Sequence, residues 1–295
     1  MLRSRIAPTP SGYLHFGNAA SFVLTWLLVR RNNGRLRLRI DDQDTTRSRP
    51  GYMEDIFKTL EWLGITWDEG PQTPDEYTTH FAQHHHAHRY NTLLQQLIDT
   101  GKVFACACPR SEIAGQYSGA CTALFLPLDT PDTTLRILTP NPTTITVPDA
   151  YRGNVSVNLY HQMRHFTVRR RDGIVAYQLS SLADDIFYNT THIVRGADLL
   201  TSTAAQIYLA QLTGHPGFAQ SKFYHHPLIF DEQGNKLSKS AGSYSLKTWR
   251  EAGYKPADFY IKLSRHWGLK EEVSSLQEML GAEQVGFRMD AEPYK

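Results

Sequence analysis

Apolar residues recur along the chain in two rhythms, and the alternation between them sets the first expectation. Leu2 to Ala7 is a short strand candidate that runs into Pro8-Thr9-Pro10-Ser11-Gly12, a stretch of turn formers. Asn18 to Arg31 reads as a helix with Phe22, Leu24, Trp26, Leu27 and Leu28 on its buried side, ended by Asn32-Asn33-Gly34. Arg35 to Ile40 alternates basic and apolar residues, the period of a strand. Strand, loop, helix and strand make a βαβ unit, which implies a parallel sheet. Two amphipathic helices are expected next, Tyr52 to Leu63 closed by Gly64 and His80 to Thr100 closed by Gly101.

From about Phe104 the rhythm changes. Residues 122–160 are rich in Thr and Pro and hold short β-like pieces, Thr144 to Val147 and Val155 to Leu159. The strand–helix alternation returns with Phe166 to Val168, Tyr177 to Ile186, His192 to Arg195 and Thr201 to Leu212, and from Leu246 the pattern is mostly helical. The expected organisation is an α/β domain in two halves, residues 1–101 and 161–245, interrupted by an insertion over 102–160 and followed by a helical tail, 246–295. No internal repeat or low-complexity tract stands out.

Composition adds limits rather than chemistry. The 295 residues are 41% hydrophobic and 20% charged, as in an ordinary soluble globular protein. No apolar run approaches a bilayer span, and Met1 to Ile6 has no apolar signal core, so no membrane role and a cytoplasmic location are expected. A net charge of +2 does not argue for nucleic-acid binding. His161, Arg164, His165, Arg169, Arg170 and Arg171 fall within eleven positions, and taken alone that run reads as a solvated basic strand edge. All three cysteines lie between positions 106 and 121, a clustering that points to a metal or to reduced thiols rather than a disulfide framework.

Two motifs carry candidate chemistry. Leu14-His15-Phe16-Gly17-Asn18 sits at the strand-to-helix junction of the βαβ unit, where free backbone N–H groups and the positive helix end suit a nucleotide phosphate. Gly17 would permit close approach, and His15 could donate to phosphate oxygens. Lys236-Leu237-Ser238-Lys239-Ser240 follows a turn, Asp231 to Asn235, and two lysines three apart on such a loop suit the spread charge of a phosphoryl-transfer transition state. Each pattern is weak alone, and the second, taken alone, reads as an exposed polar loop with solvated lysines. Their occurrence at opposite ends of one α/β domain is what gives them weight.

Paired in this way, the two motifs resemble the HIGH and KMSKS signatures of class I aminoacyl-tRNA synthetases. Arg5-Ile6-Ala7-Pro8-Thr9-Pro10-Ser11-Gly12-Tyr13-Leu14-His15 and Leu60-Glu61-Trp62-Leu63-Gly64-Ile65-Thr66-Trp67-Asp68-Glu69-Gly70-Pro71 look like stretches of the glutamyl and glutaminyl group. Arg170-Arg171-Asp172-Gly173 with Tyr177-Gln178-Leu179, and Val194-Arg195-Gly196-Ala197-Asp198, follow in the matching order. The resemblance covers residues 3 to about 250. About fifty-five residues follow Ser240, too few for the large anticodon-binding region of glutamyl-tRNA synthetases. Length and cysteine pattern resemble the glutamyl-Q tRNA(Asp) synthetase family, which consists of the catalytic part alone.

That resemblance implies a split Rossmann-type nucleotide-binding fold, a parallel sheet flanked by helices, with a zinc-containing insertion and a short C-terminal helical region. It implies ATP with Mg2+, L-glutamate, and tRNA, namely tRNA(Asp) carrying queuosine, as partners of a monomer. His15, Gly17, Asn18, Lys236 and Lys239 would serve ATP, with His15, Lys236 and Lys239 catalytic. Arg5, Thr9, Asp41, Tyr177 and Arg195 would hold glutamate. Cys106, Cys108, Tyr117 and Cys121 would bind structural Zn2+, with reduced cysteines near a turn as the plain alternative. Asp41 departs from the family, which usually has Glu there; the shorter arm retracts the carboxylate by about 1.5 Å.

Two other readings stay open: a truncated glutamyl- or glutaminyl-tRNA synthetase charging the tRNA 3′ end, and a non-catalytic RNA-binding relative. His84-His85-His86 with His88 is expected to be a solvated or RNA-facing helix rather than a metal tract, since consecutive residues point around a helix. Asp184-Asp185 is expected to be structural. The basic run around Arg170 becomes a candidate RNA contact once the family is considered.

Overall fold

A computed structural model of the protein describes residues 1–43, 48–109, 117, 119–229 and 245–282. Along the chain the strands and helices are β1 (Arg3–Ile6), α1 (Phe16–Arg31), β2 (Arg35–Leu38), α2 (Pro50–Trp62), the single turn α3 (Pro74–Glu76), α4 (Ala87–Asp99), β3 (Val103–Cys106), β4 (Thr134–Ile137), β5 (Thr144–Asp149), β6 (Gly153–Asn158), α5 (Leu159–Met163), β7 (Thr167–Arg169), α6 (Tyr177–Phe187), β8 (His192–Gly196), α7 (Leu200–Leu212), β9 (Lys222–His226), α8 (Leu246–Glu251), α9 (Pro256–His266) and α10 (Leu276–Gly281). They form two compact units, Met1–His85 with Thr191–Ala197 and Tyr224–Lys295, and His86–Thr190 with Asp198–Phe223. Among the described residues no helix is long and apolar enough to cross a membrane.

In the first unit β1 and β2 pair in parallel, Arg3 opposite Arg35 through Ile6 opposite Leu38, with α1 as the crossover. This is the expected βαβ unit. β8 runs beside β1: the Thr191 N–H donates to the Arg3 carbonyl at 3.0 Å, and Ser4 Oγ donates to the His192 carbonyl at 2.7 Å. Ile6, Leu36, Leu38, Val23 and Leu27 bury their side chains in a core shared with Ile56 and Leu60 of α2 and Phe259, Tyr260 and Leu263 of α9. Gly70, at φ +100°, lets the chain pass against β2; a Cβ there would stand 2.1 Å from the Leu38 carbonyl oxygen. α8 is pinned to α2 by Arg250, which pairs with the buried Asp55 and bonds Thr59 Oγ1 at 2.5 Å.

The second unit holds two antiparallel ladders. β3, β4 and β7 make one, with Phe104 opposite Arg136 and Cys106 opposite Thr134. β5 and β6 make the other in full register, and Asp149 at the end of β5 meets Phe223 in parallel. α4 and α6 are locked by Asp184, which accepts from Arg89 at 2.6 Å and from Tyr90 Oη at 3.0 Å. The structural role expected for this aspartate is therefore explicit in its contacts.

Several local expectations change. The helix expected over His80 to Thr100 is shorter: a π-type turn (Tyr77–Phe81) ends at Ala82, whose ψ of 138° breaks the helix, a 3₁₀ turn carries Gln83–His86, and only Ala87–Asp99 is α-helical. Gln83 explains the break, because its N–H donates to Asp42 Oδ1 (3.0 Å) and its Oε1 accepts from the Gln43 N–H (2.9 Å). β3, β4, β9 and α5 have no counterpart in the sequence expectation; the first three are only four or five residues long, too short for a period-two pattern to stand out.

Candidate active site

The helix mouth of α1 is built by His15 itself. The residue is the N-cap, with extended backbone (φ −107°, ψ 170°), and its imidazole Nδ1 accepts from the Gly17 N–H at 3.1 Å and from the Asn18 N–H at 3.4 Å. Asn18 returns the contact, its Oδ1 accepting from the His15 N–H at 3.3 Å, so the pair acts as a capping box. A Cβ on Gly17 would stand 3.2 Å from the imidazole Cε1, which explains glycine at this position. The free backbone N–H groups expected at the helix mouth do not include those of Gly17 and Asn18, which donate to His15. With Nδ1 accepting, the ring proton of the neutral imidazole lies on Nε2, and His15 becomes a fixed donor.

The segment after the Lys236–Ser240 motif comes back to this mouth. His15 and Ser245 form an isolated antiparallel bridge, and the Leu246 N–H donates to the Leu14 carbonyl at 2.8 Å. Lys247 Nζ donates to Tyr13 Oη at 3.0 Å and lies 4.4 Å from the centre of the Tyr13 ring; that bond holds the Lys247 ammonium above its usual range. Ser245 also caps α8, its Oγ accepting from the Thr248 N–H. Upstream, Ile229 is buried in the core of the same unit. Lys236 and Lys239 lie outside the described residues.

Arg5, Asp41 and Arg195 stand at or just beyond the carboxyl ends of β1, β2 and β8, where ligands bind in open parallel sheets, and all three are at least nine-tenths buried. The Arg39 N–H donates to the Ile6 carbonyl and the Asp41 N–H to the Pro8 carbonyl, both at 2.9 Å, which holds Asp41 beside the Pro8-Thr9 turn. Thr9 is partly buried in that turn, its carbonyl accepting from the Ser11 N–H. Arg39, which the sequence reading left without a role, grips Asp41 with two bonds, Nε to Oδ1 at 2.7 Å and Nη2 to Oδ2 at 3.0 Å. The signal was present in the sequence, since Arg39 stands only two positions before Asp41 with opposite charge. Tyr177 opens α6 in the second unit and is 38% exposed.

In the second unit the three cysteines converge. Their sulfurs lie within 4.8 Å of one another, with Cys108 Sγ 3.3 Å from Cys121 Sγ, far beyond a disulfide bond. Tetrahedral zinc with Zn–S bonds of ~2.3 Å would set sulfurs about 3.8 Å apart, so the donors fit with small adjustment. β3 supplies Cys106, and the 3₁₀ turn Ala120–Ala123 supplies Cys121, whose N–H donates to Tyr117 Oη at 3.0 Å. Burial pushes the Cys106 thiol up, but bonds from Tyr117, the Cys108 amide, Arg136 and Cys121 outweigh it and bring it to about 7. Burial and the neighbouring thiols push Cys108 up to about 12, and burial together with Cys106 raises the Tyr117 phenol. The cluster thus holds one easily ionised thiol and two groups that would ionise only beside a cation. Arg136 packs over the Tyr117 ring at 4.3 Å, and the His165 ring lies 6.2 Å from it.

The parallel βαβ unit, with a capped helix mouth and buried arginines at the strand ends, is an α/β frame of the kind on which nucleotide sites are built. The chain belongs to the family described as tRNA synthetases class I (E and Q), catalytic domain, which matches residues 1–122 and 128–291. It is 38% identical to a glutamyl-Q tRNA(Asp) synthetase of Pseudomonas paraeruginosa, over 82% of this chain and 78% of that protein. It is 34% identical to glutamate--tRNA ligase 2 of Halorhodospira halophila, over 95% of this chain but only 60% of that protein's length. Among solved structures, a glutamate tRNA ligase from Elizabethkingia meningosepticum, crystallised with its amino acid, superposes with a TM-score of 0.78 at 26% identity, covering 99% of this chain and 67% of that one.

Proposed function

We propose that this chain activates L-glutamate with ATP and transfers the glutamyl group to queuosine at the wobble position of tRNA(Asp). One observation carries the proposal: the pairing of Ser245 with His15 ties the chain just after the lysine motif to the mouth of α1. Lys239 and Lys236 lie six and nine positions before Ser245, spans of at most about 22 and 32 Å, so both can reach a triphosphate bound at His15.

In the proposed reaction the glutamate α-carboxylate attacks the α-phosphorus of ATP, the bond to the β-phosphate oxygen breaks and pyrophosphate leaves. A queuosine hydroxyl then attacks the mixed anhydride and AMP departs. No protein nucleophile is required. His15 Nε2–H at the helix mouth, with Lys236 and Lys239, would position and stabilise the phosphates, and Gly17 and Asn18 would serve ATP by holding the His15 ring in place. Mg2+ would travel with the ATP and offset phosphate charge. Arg5 and Arg195 would receive the carboxylates, Thr9 and Tyr177 would hydrogen-bond the amino acid, and Asp41, held by Arg39, would accept from the α-amino group. Cys106, Cys108, Cys121 and Tyr117, all within the insertion expected over 102–160, would hold one structural Zn2+. Cytoplasmic location and a monomeric state complete the proposal.

A second reading, glutamylation of a tRNA 3′ end, draws support from the likeness to glutamate--tRNA ligase 2, which extends over 95% of this chain. Glutamate-dependent ATP–pyrophosphate exchange tests activation. Acceptor assays with tRNA(Asp) carrying or lacking queuosine, and with tRNA(Glu), then separate the two readings: dependence on queuosine supports the first, charging of tRNA(Glu) the second.

A further inference from the structure

Within the second unit, an open cavity of about 880 Å³ lies against the cysteine cluster, with Cys108 on its wall. Its charged lining is Arg136, Arg170, Arg171, Asp132 and Asp172, and Phe166 contributes to its apolar part. Asp172 is paired with Arg170 at 2.6 Å, and Asp132 is exposed to solvent. Arg136 is different in kind. It comes from the middle of β4, opposite Phe104, and is only 7% exposed. One Nη donates to the His165 carbonyl at 2.8 Å, while its buried Nε has no hydrogen-bond partner among the described residues. The guanidinium also bonds the Cys106 side chain, so Arg136 joins the cavity wall to the cysteine cluster. Arg171 adds a second cation to the wall, steered by bonds from Nη2 to the Ala107 and Cys108 carbonyls at 3.2 Å.

We infer that this cavity is a nucleotide subsite, in which a phosphate of single-stranded RNA meets Arg136 and Arg171 and the attached base occupies the apolar remainder. The volume exceeds what a bare phosphate needs and suits a ligand with both a charged and an apolar part. Guanidinium groups match phosphate oxygens in geometry, and unstacked bases of RNA loops are what proteins take into such pockets. The inference rests on the proposed tRNA-modifying function for the source of the nucleotide; the cavity chemistry itself would also accept a free nucleotide or inorganic phosphate. Because Arg136 also covers the ring of Tyr117, the subsite is built on the same scaffold as the cysteine cluster.

The test is binding of a fluorescein-labelled, single-stranded hexaribonucleotide to the full chain, followed by anisotropy at near-physiological salt. Arg171→Gln and Arg136→Lys are each expected to weaken binding by about tenfold, and a methylphosphonate backbone, which lacks the charge, should abolish it. Arg265→Gln, on α9 of the first unit, serves as a charge control and should leave affinity within about twofold. Unchanged affinity in both cavity variants, or an equal loss in the control, overturns the inference. Should Arg136→Lys fail to fold by thermal melting, Arg171→Gln alone decides. Competition by inorganic phosphate as strong as that by unlabelled oligonucleotide would also overturn the nucleotide assignment. ATP–pyrophosphate exchange by the wild-type protein is measured on the same preparation. Exchange without a cavity effect contradicts the subsite only, whereas a cavity effect without exchange contradicts the proposed function and leaves the subsite standing.

Discussion

His15 and Asn18 cap one another across the first turn of α1, with Nδ1 of the histidine accepting two backbone N–H groups and Oδ1 of the asparagine accepting the histidine's own. The arrangement fixes the imidazole tautomer and makes the same residue both a structural cap and a donor. His15→Asn separates the two roles, since asparagine is a good N-cap but has no Nε2–H. Its melting temperature should stay close to that of the wild type while adenylate formation falls by about 10²–10³-fold. His15→Ala should lose both, with about 1 kcal/mol of stability removed. Calorimetry alongside pyrophosphate-exchange rates checks the pair.

Asp41 and Arg39 form a buried two-point ion pair. Removing the carboxylate from a buried ion pair is costly, so Asp41→Ala should destabilise the fold by about 3–5 kcal/mol. Asp41→Asn keeps the volume and one acceptor; it should lose less stability while raising the glutamate KM by about tenfold or more, if the carboxylate holds the α-amino group. An unchanged KM in the Asn variant would confine Asp41 to a structural role.

Lys239→Ala is expected to slow adenylate formation by about 10²–10³-fold with glutamate affinity nearly unchanged. Stopped-flow turnover and equilibrium glutamate binding give the two numbers. Loss of binding with normal turnover at saturation would contradict the phosphate role.

The cysteine cluster should carry one zinc per chain. Cys108→Ser is expected to release it and lower the melting temperature, and Tyr117→Phe to keep the three thiolates but weaken retention against a chelator. Elemental analysis reads the outcome; full stability in metal-free protein would refute the zinc site.

His165 sets a pH dependence. Burial, then the charges of Arg164 and Arg136, lowers its pKa below the usual 6.5, and its Nδ1 accepts from the Thr139 N–H at 3.0 Å. The unfolded chain therefore binds a proton more readily than the folded one, so stability is full above about pH 6.5 and declines as pH falls below it. Thermal melts between pH 8 and 5 should show this decline. His165→Asn, whose Oδ1 can still accept from Thr139, should flatten it.

Much of the first unit was legible in the sequence because its helices are local: α1 is a long, largely apolar run buried on most sides and bounded by the turn formers at 8–12 and 32–34, and α2 carries an amphipathic pattern. His15 stood out in the sequence as a candidate, but not as a cap, because histidine is an unusual N-cap and the signal lies in its pairing with Asn18. Arg39 was overlooked although it stands two positions from Asp41. Arg136 could not be found, since its burial arises from β3 and β7 closing around β4, and its own partners there, Phe104 and Thr167, lie 32 and 31 positions away. The His80 to Thr100 expectation failed for the same kind of reason: Gln83 trades helix continuity for bonds to Asp42 and Gln43.

The central claim is that the α1 mouth and the lysine loop activate glutamate on ATP. Isotope exchange between pyrophosphate and ATP, measured with purified protein, L-glutamate and Mg2+ in the absence of tRNA, tests it most directly. Exchange that requires glutamate and collapses in His15→Asn and Lys239→Ala is the predicted result. No glutamate-dependent exchange by a folded, zinc-loaded protein would contradict it.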